Sequence, residues 1–304
     1  MATLTASVPV SVLAPVREGG ARCGASRVVP SFGAAARQES PAGHVSDTQI
    51  TAYWNERASA YSCGVCEELG GEKCQEWARV LRERSLGAVL RAQGEGRAPR
   101  MLDLGCGPGF FSILFARMGC AVDALDASEG MLAQAQNNVS RANVAESVAF
   151  HQGDMTRLPF YDASFDIIAG RNVTWLLRDP RAAYAEWMRV LRPGGKLLIF
   201  DANWYRYLDD PSINEQRVAD QPTTDILGWN EESIASQDQE RRCEAIARDL
   251  PFTYIQRPAW DERALSDLGF SGVHCDEDVW LRLWTEGERA FYGSSPMFLI
   301  EAIK

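Results

Sequence analysis

The sequence has no long hydrophobic run, and none of its apolar stretches approaches the roughly 18 residues that a membrane-spanning helix requires. We therefore expect no membrane span. Positive charge is also scarce: 31 Lys and Arg residues face 41 Asp and Glu residues, which gives a formal net charge of −10. Because an acidic body repels phosphate backbones, this composition disfavours nucleic acid as a partner and favours a small molecule or a cation.

Cysteine is sparse, with eight residues in a chain of 304, and no long apolar secretory signal precedes them. That usage does not predict a disulfide scaffold, so we expect a reducing compartment and a cytoplasmic protein. Cys63, Cys66 and Cys74 lie together in the segment CGVCEELGGEKC. A zinc site needs four ligands, and neither a second cysteine pair nor a nearby histidine follows, so we predict no metal. The alternative is that these thiols handle a metal or metalloid acceptor.

Residues 1–46 lack any reliable helical or strand periodicity and are rich in Ala, Ser, Val, Gly, Pro and Arg. Such a segment cannot bury enough apolar area to offset its ordering entropy, so we predict that it is disordered. It holds four arginines and two glutamates, a charge of +2 that leaves −12 for the rest of the chain. Arginine and hydroxyl residues with few acids also fit an organelle transit peptide, and both interpretations stay open.

The most informative stretch is MLDLGCGPGFFS, which begins at Met101. It predicts a buried strand over Arg100 to Leu104, a tight turn at Gly105, Gly107 and Gly109, and a helix over Phe110 to Met118. Glycine tolerates the positive φ of such a turn and leaves room for a ligand on the backbone. Free N–H groups at the start of the helix then favour a nucleotide-like guest.

The spacing of these glycines differs from the dinucleotide fingerprint, because Gly109 follows Gly107 by two residues instead of three. Asp103, at the end of the strand, offers a carboxylate to an ammonium group. These residues resemble motif I of the class I S-adenosylmethionine-dependent methyltransferases, an acidic residue followed by G-x-G-x-G. The resemblance implies that the turn cradles the methionyl part of S-adenosyl-L-methionine.

Strand and helix patterns alternate along the rest of the chain, and the repeated β-α-β units predict a parallel sheet with helices on both faces. The predicted strands are Arg100 to Leu104, Cys120 to Leu125, Val148 to Gln152, Asp166 to Ala169, Lys196 to Phe200, Val273 to Asp278 and Met297 to Ile303. The predicted helices outside the glycine motif are Gln49 to Ala60 with Ser46 or Asp47 as its cap, Glu72 to Ala92, Ala127 to Ala142, Arg181 to Leu191, a stretch near Glu231 to Ala247, and Trp260 to Leu268. Ligands of such a sheet bind beyond the carboxyl ends of its strands.

Further strand ends carry suitable side chains. Asp126 closes the second strand 21 residues after Gly105, where a carboxylate accepts both ribose hydroxyls of an adenosine, with Ala127 and Met131 beside it. The resemblance implies that Asp154 binds the adenine, with Met155 packed against the ring. It also implies that Arg171 and Asn172, at the end of the fourth strand, meet the methionyl end and the substrate. Arg171 could instead pair with a local carboxylate.

The segment RVLRPGGKLLIFDA, which begins at Arg189, predicts a sharp helix-to-strand turn at Pro193, Gly194 and Gly195. It resembles the same turn in ubiquinone-type and related small-molecule methyltransferases. The resemblance extends from about Ile50 to Asn203. It implies an α/β fold: a doubly wound, Rossmann-like sheet of seven strands whose last strand is antiparallel, with a small inserted cap after the fifth strand.

The predicted organisation is a disordered or targeting arm over residues 1–46, a methyltransferase core over 47–203 and 260–304, and a substrate cap over 204–259. Aromatic and polar residues near the cap are the predicted acceptor contacts: Trp54, Trp175, Asn203, Trp204 and Tyr205. No catalytic group stands out; the candidates for a base or orienting group are Tyr53, Tyr61, Tyr205, Asp201, His44 and His151. His151 lies within a strand, which favours a structural role.

The expected reaction is transfer of the sulfonium methyl group to a small-molecule acceptor by in-line displacement. Alignment of the reactants and exclusion of water are then the main tasks of the protein, and a base is needed only if the nucleophile arrives protonated. We expect a monomer or a homodimer. The alternatives are a non-catalytic S-adenosylmethionine-binding module and, less favoured by the glycine spacing, a nicotinamide-dependent oxidoreductase.

Overall fold

The computed structural model describes residues 45–226 and 236–304, and within them the chain forms a seven-stranded sheet. The strands are β1 (Arg100–Leu104), β2 (Ala121–Asp126), β3 (Val148–Gln152), β4 (Phe165–Arg171), β5 (Leu191–Asp201), β6 (Ser271–Asp276) and β7 (Phe298–Ile303). Their order across the sheet is β3-β2-β1-β4-β5-β7-β6, with β7 antiparallel to both of its neighbours and the remaining pairs parallel. The predicted fold class is confirmed.

Ten α-helices are described around this sheet. They are α1 (Asp47–Gly70), α2 (Cys74–Gly94), α3 (Phe110–Arg117), α4 (Glu129–Arg141), α5 (Pro180–Val190), α6 (Pro211–Ile226), α7 (Gln237–Arg248), α8 (Ala259–Asp267), α9 (Val279–Leu283) and α10 (Glu286–Tyr292). Five of them, α2, α3, α4, α5 and α8, lie within two residues of their predicted bounds. Helix α1 starts where expected, because Ser46 forms a capping box with Gln49. It continues ten residues past the predicted end at Ala60 and includes Cys63 and Cys66.

The core lies on both faces of the sheet, as strand alternation requires. Met101 of β1 packs with α2 and α3 on one face, through Trp77, Phe111 and Phe115. Its neighbour Leu102 packs with α5 and α8 on the other. Helices on both faces hold the central strands rigidly, which fixes the positions of the strand ends.

The segment Pro193-Gly194-Gly195 differs from the prediction of a turn that precedes the strand. The structure includes it in β5, which starts at Leu191 and carries a register shift against Phe165 and Ile167 of β4. Gly194 has a φ of 75°, the left-handed conformation expected of a glycine here. Its N–H donates to the carbonyl of Lys304 at 2.8 Å, so the irregular segment is tied to the end of β7.

Two other predictions fall partly outside the described residues. The arm over residues 1–46 includes 44 such residues; Val45 and Ser46 are described, and the N–H of Val45 donates to Asp249 Oδ2 at 3.1 Å. The helix expected near Glu231 to Ala247 begins at Gln237, and residues 227–235 lie outside the description. Helices α6, α9 and α10 were not predicted. Among the described helices, none is both long and apolar enough to cross a membrane.

Candidate active site: two cavities at the strand ends

The register of the central strands brings three carboxyl ends together. Leu104 at the end of β1 pairs with Leu125 of β2 on one side and with Gly170 of β4 on the other. A cavity of 470 Å³ opens directly beyond these ends. Its lining includes eight of the predicted cofactor residues besides the glycines: Asp103, Asp126, Ala127, Met131, Asp154, Met155, Arg171 and Asn172.

The glycine turn forms the floor of this first cavity. Gly105 has a φ of 57°, and a Cβ atom there would lie 2.7 Å from Val173 Cγ1. Gly107 has a φ of 50° with no heavy atom within 4 Å of a built Cβ, so it faces open space in the cavity. Gly109 has a φ of 91° but packs against Ala135 of α4 instead of lining the cavity. Its predicted place among the cofactor contacts is therefore a helix-packing position.

Asp103 is 2% exposed, and its Oδ2 accepts a hydrogen bond from Ser112 Oγ at 2.6 Å. Burial raises the pKa of Asp103 to about 7, against the lowering effect of the Ser112 bond and with a smaller raising contribution from Asp126. The described residues provide no cation in an ion pair with it. A carboxylate held in this way gains strongly from a ligand that brings a positive charge.

Asp126 is fixed by the backbone. Its Oδ2 accepts from the N–H of Gly107 at 2.9 Å, and its Oδ1 accepts from the N–H of Ser128 at 2.8 Å. Burial raises the pKa of Asp126, although these backbone donors act to lower it. Each carboxylate oxygen keeps a second lone pair, so both remain able to accept from a ligand in the cavity.

Asp154 lies on the cavity wall with a preset orientation. Its Oδ1 accepts from the N–H of Thr156 and its Oδ2 from Thr156 Oγ1, both at 2.7 Å. Met155 lies beside it on the same wall. The neighbouring histidine His151 bonds Asp123 Oδ1 at 2.8 Å on the sheet and lines neither cavity, which fits its expected structural role. His44 lies outside the described residues.

A second, larger cavity of 960 Å³ adjoins the first. The two share five lining residues: Trp54, Tyr61, Val65, Arg171 and Asn172. Aromatic side chains dominate the larger cavity, among them Trp175, whose ring centroid is 4.7 Å from that of Tyr205. Trp204 also lines it, so three of the predicted acceptor contacts besides Trp54 are brought together here.

Arg171 separates the two cavities. It forms a bidentate ion pair with Glu68 of α1 at 2.6 and 2.9 Å, and its guanidinium lies 4.2 Å from the ring centroid of Phe110. Burial acts to lower the pKa of Arg171, but Glu68 outweighs it and raises that pKa. The alternative considered from the sequence, pairing with a local carboxylate, is what the structure shows.

Two buried polar atoms at this junction have no hydrogen-bond partner in the described structure, Trp54 Nε1 and Asn172 Oδ1. Asn172 adopts a φ of 57°, a left-handed conformation that is uncommon outside glycine. Because an unsatisfied buried polar atom is costly, both atoms are ready partners for a ligand that spans the junction.

Asn203 differs from its predicted role. Its side chain lines neither cavity; Nδ2 donates to the carbonyl of Arg257 at 2.9 Å, and Oδ1 accepts from the N–H of Arg257 at 3.2 Å.

The three tyrosine candidates for a base or orienting group lie in different places. Tyr61 lines both cavities, whereas the Tyr205 hydroxyl lies 2.9 Å from Cys243 Sγ and Tyr53 is buried beside the same thiol. Burial raises the pKa of both Tyr53 and Tyr205 above its ordinary value.

A buried polar network that sequence reasoning did not find supports the wall of the larger cavity. Asp201, at the end of β5, accepts from Trp204 Nε1 at 2.7 Å, from the N–H of Trp175 at 3.2 Å, and from Arg257 NH1 at 3.1 Å. Arg257 also donates to Asp261, with its Nε 2.9 Å from Oδ2. Asp201 therefore holds two aromatic lining residues in place and is itself fully buried.

The three cysteines of the CGVCEELGGEKC segment do not converge. Cys63 and Cys66 are exposed on α1, whereas Cys74 is buried at the start of α2. No group of three or more metal-ligating side chains occurs among the described side chains, those of residues 45–219 and 236–304. We expect Cys66→Ala, outside both cavities, to change turnover by no more than about twofold. A complete loss of turnover in that variant, with cofactor affinity retained, would instead support the thiols as handlers of a metal or metalloid acceptor.

The comparisons with known proteins agree with this geometry. Residues 102–199 match the methyltransferase domain family. The chain is 38% identical over 157 residues to demethylmenaquinone methyltransferase of Clavibacter sepedonicus, a match that covers 50% of this chain and 57% of that protein. It is 35% identical over 144 residues to malonyl-[acyl-carrier protein] O-methyltransferase of Erwinia billingiae, covering 47% and 51%. The matched part thus spans about half the length of these two curated relatives.

Solved structures show the same fold. Haemonchus contortus phosphoethanolamine N-methyltransferase 2, in complex with phosphomonomethylethanolamine and S-adenosylhomocysteine, aligns with a TM-score of 0.51 at 17% identity, over 83% of this chain and 59% of that one. Residues 102–199 carry a methyltransferase domain, and the seven-stranded sheet has the fold of the class I S-adenosylmethionine-dependent methyltransferases, as the resemblance of the glycine motif implied.

Proposed function

We propose that the chain binds S-adenosyl-L-methionine in the 470 Å³ cavity and transfers its methyl group to a small-molecule acceptor held in the 960 Å³ cavity. The observation that carries this proposal is the shared boundary of the two cavities at Trp54, Tyr61, Val65, Arg171 and Asn172. Methyl transfer requires the two reactants to meet in line, and adjoining cavities allow that contact.

The residues of the first cavity fit the proposed cofactor in charge and shape. The free lone pairs of Asp126 suit the two ribose hydroxyls, and Asp103 suits the ammonium group of the methionyl part. Asp154 and Met155, farther along the same wall, suit the adenine. The bare backbone of Gly107 lets the ligand lie directly on the turn.

The chemistry at the junction depends mainly on position. The cofactor would supply a methyl group already activated by its positive sulfur. The chain's own residues would then orient the acceptor between aromatic rings and exclude water, with Arg171 fixed by Glu68 as part of the boundary. Tyr61 is the one of the three tyrosine candidates that reaches both cavities, so it is the proposed orienting group.

We include the domain organisation in this proposal: a methyltransferase core over residues 47–203 and 260–304, with 204–259 as a cap on the acceptor side. Trp204 and Tyr205, which line the larger cavity, support the role of the cap.

The acidic net charge supports a small molecule over nucleic acid as the partner. Seven free cysteines among the described residues support the cytoplasm or an organelle reached by import. We expect a monomer or a homodimer, which light scattering would distinguish.

Calorimetric titration with S-adenosylmethionine, S-adenosylhomocysteine and NADH tests the cofactor assignment. We expect the two sulfur compounds to bind and NADH not to bind. A screen of small molecules with methyl-labelled cofactor then tests the transfer. Tight cofactor binding with no methylated product from any acceptor class would favour the alternative of a non-catalytic binding module.

The ribose assignment gives a separate prediction. Asp126→Ala should weaken S-adenosylhomocysteine binding by about 1 to 3 kcal/mol, because buried hydroxyls would be left without an acceptor. The matched control is Glu129→Ala, which removes the same charge from an exposed residue of α4 outside both cavities. Calorimetry should give wild-type affinity for the control. Wild-type affinity in Asp126→Ala as well would refute the assignment.

A further inference from the structure

Arg57 is a charged side chain of the larger cavity that has no role in the proposed function. It lies on α1 and is 5% exposed, yet its side chain is part of the cavity lining. It stands three residues after Trp54 and four before Tyr61, both of which line the two cavities. At the rise of an α-helix, its Cα is about 5 to 6 Å along the axis from each of them. Arg57 is therefore one helical turn from the junction.

The guanidinium of Arg57 has one hydrogen-bond partner, a neutral one. Nη1 donates to Gln239 Oε1 of α7 at 3.0 Å, and Nε is buried with no partner in the part of the chain that the structure describes. Among the side chains of residues 45–219 and 236–304, no carboxylate forms an ion pair with it. The neighbouring Glu56 is paired with Arg242 at 2.7 Å and also accepts from Gln239.

The other titratable groups around Arg57 do not form an ion pair with it. Cys243 and Tyr53 lie within electrostatic range of it. Burial raises the pKa of the Cys243 thiol, against the lowering effects of the tyrosine hydroxyls and Arg57, and burial raises the pKa of the Tyr53 hydroxyl. Both groups are therefore neutral at physiological pH. The carboxylate of Glu56 acts on Arg57 through space but is itself paired with Arg242 and Gln239, so the guanidinium of Arg57 has no direct ion pair.

Comparison with Arg257 shows how unusual a buried arginine without an ion pair is. Arg257 is 2% exposed and donates to two carboxylates, Asp201 and Asp261. Arg171, which is less buried, also has a bidentate carboxylate partner in Glu68. Buried charges in proteins are paired or bind a ligand. For Arg57 the open side is the acceptor cavity, so the expected partner is a ligand.

We propose that the methyl acceptor carries an anionic group, a carboxylate or a phosphate monoester, and that Arg57 binds this group in the larger cavity. Both anions match the planar fork of a guanidinium. The aromatic walls formed by Trp175, Trp204 and Tyr205 hold the rest of the acceptor, so its body is apolar or contains a ring. This inference rests on the proposed function, because it assigns the larger cavity to the acceptor.

The test uses the full chain saturated with S-adenosylhomocysteine. Probes are ring-containing carboxylates such as phenylacetate and 4-hydroxybenzoate, each with its neutral amide, and phenyl phosphate with phenol. Binding is measured by calorimetry. We expect at least one anion to bind tenfold or more tightly than its neutral counterpart, and the preferred series identifies the anion as carboxylate or phosphate. Equal affinity within every pair, or no binding by any anion, would overturn the proposal.

Variants assign the preference to Arg57. Arg57→Met should abolish the preference for the anion, and Arg57→Lys should restore part of it, because the charge returns without the planar fork. The control Arg241→Met removes a cation that is paired with Asp238 on the exposed side of α7, and it should keep the full preference. An unchanged preference in Arg57→Met would overturn the assignment, and circular dichroism would establish that each variant is folded.

Cofactor affinity separates this inference from the proposed function. If wild-type protein does not bind S-adenosylhomocysteine, the proposed function fails. If it binds but shows no preference for anions, only the present inference fails. A third result is that Arg57→Met weakens S-adenosylhomocysteine tenfold and leaves the probe preference intact. Arg57 would then bind the carboxylate of the cofactor product, which would also overturn the proposal.

Discussion

Replacing Arg257 by methionine is expected to lower the free energy of unfolding by about 3 to 5 kcal/mol. The guanidinium is fully buried with Asp201 and Asp261, and Tyr184 donates its hydroxyl to Asp261 in the same network. Methionine nearly preserves the length of the side chain but removes the charge, which leaves two carboxylates in the interior without a cation. Urea denaturation at pH 7 measures the loss.

The comparison needs a second variant that breaks an ion pair at the surface of the protein. Arg181→Met is the matched control, because its pair with Asp267 is exposed and should be worth less than about 1 kcal/mol. Similar losses in the two variants would contradict the structural role of the network.

Replacing Asp103 by asparagine is expected to have two opposite effects. S-adenosylhomocysteine affinity should fall about ten- to a hundredfold, because the carboxylate proposed to receive the ammonium group is lost. The ligand-free chain should become more stable at pH 8, by up to about 4 kcal/mol, since the cost of ionising a buried carboxyl disappears. Calorimetry and urea denaturation measure the two effects.

The sign of the second effect follows from the pKa of Asp103, which burial raises to about 7 from the ordinary 3.8. Between these values the folded chain holds a proton that the unfolded chain has released, so wild-type stability falls as pH rises towards 7. The advantage of Asp103→Asn should therefore be absent at pH 3 and complete by pH 8. A stability difference that does not change with pH, together with unchanged affinity, would contradict this account.

Much of the cofactor side could be predicted from the sequence because its chemistry lies next to strands with clear boundaries. β1 and β3 have the predicted bounds, and the glycines between Asp103 and Phe110 have positive φ as expected. Asp126 is held by the backbone of that same turn. In such places local pattern and tertiary position are tightly linked, since short β-α connections leave the strand ends few alternatives.

Less of the acceptor side could be predicted from the sequence, because its side chains come from segments that are distant along the chain. In the sequence Arg57 looks like one more polar residue of an amphipathic helix, and its hydrogen-bond partner Gln239 lies 182 positions farther along the chain. Asn203 looks like a lining residue, but its amide bonds the backbone 54 positions farther on. Helices α6, α9 and α10 were missed as well. Burial by remote segments leaves no periodic signal in the sequence.

The boundary between the two cavities also separates residues inside the family match from residues outside it. The family match covers residues 102–199, which include Asp103, Asp126 and Asp154 of the lining of the first cavity. Arg57, Trp204 and Tyr205, which line the larger cavity, lie outside that range. Under the proposed function, substitutions in the segments that carry the acceptor walls would therefore change the molecule that is methylated, while the strand ends would continue to select the same methyl donor.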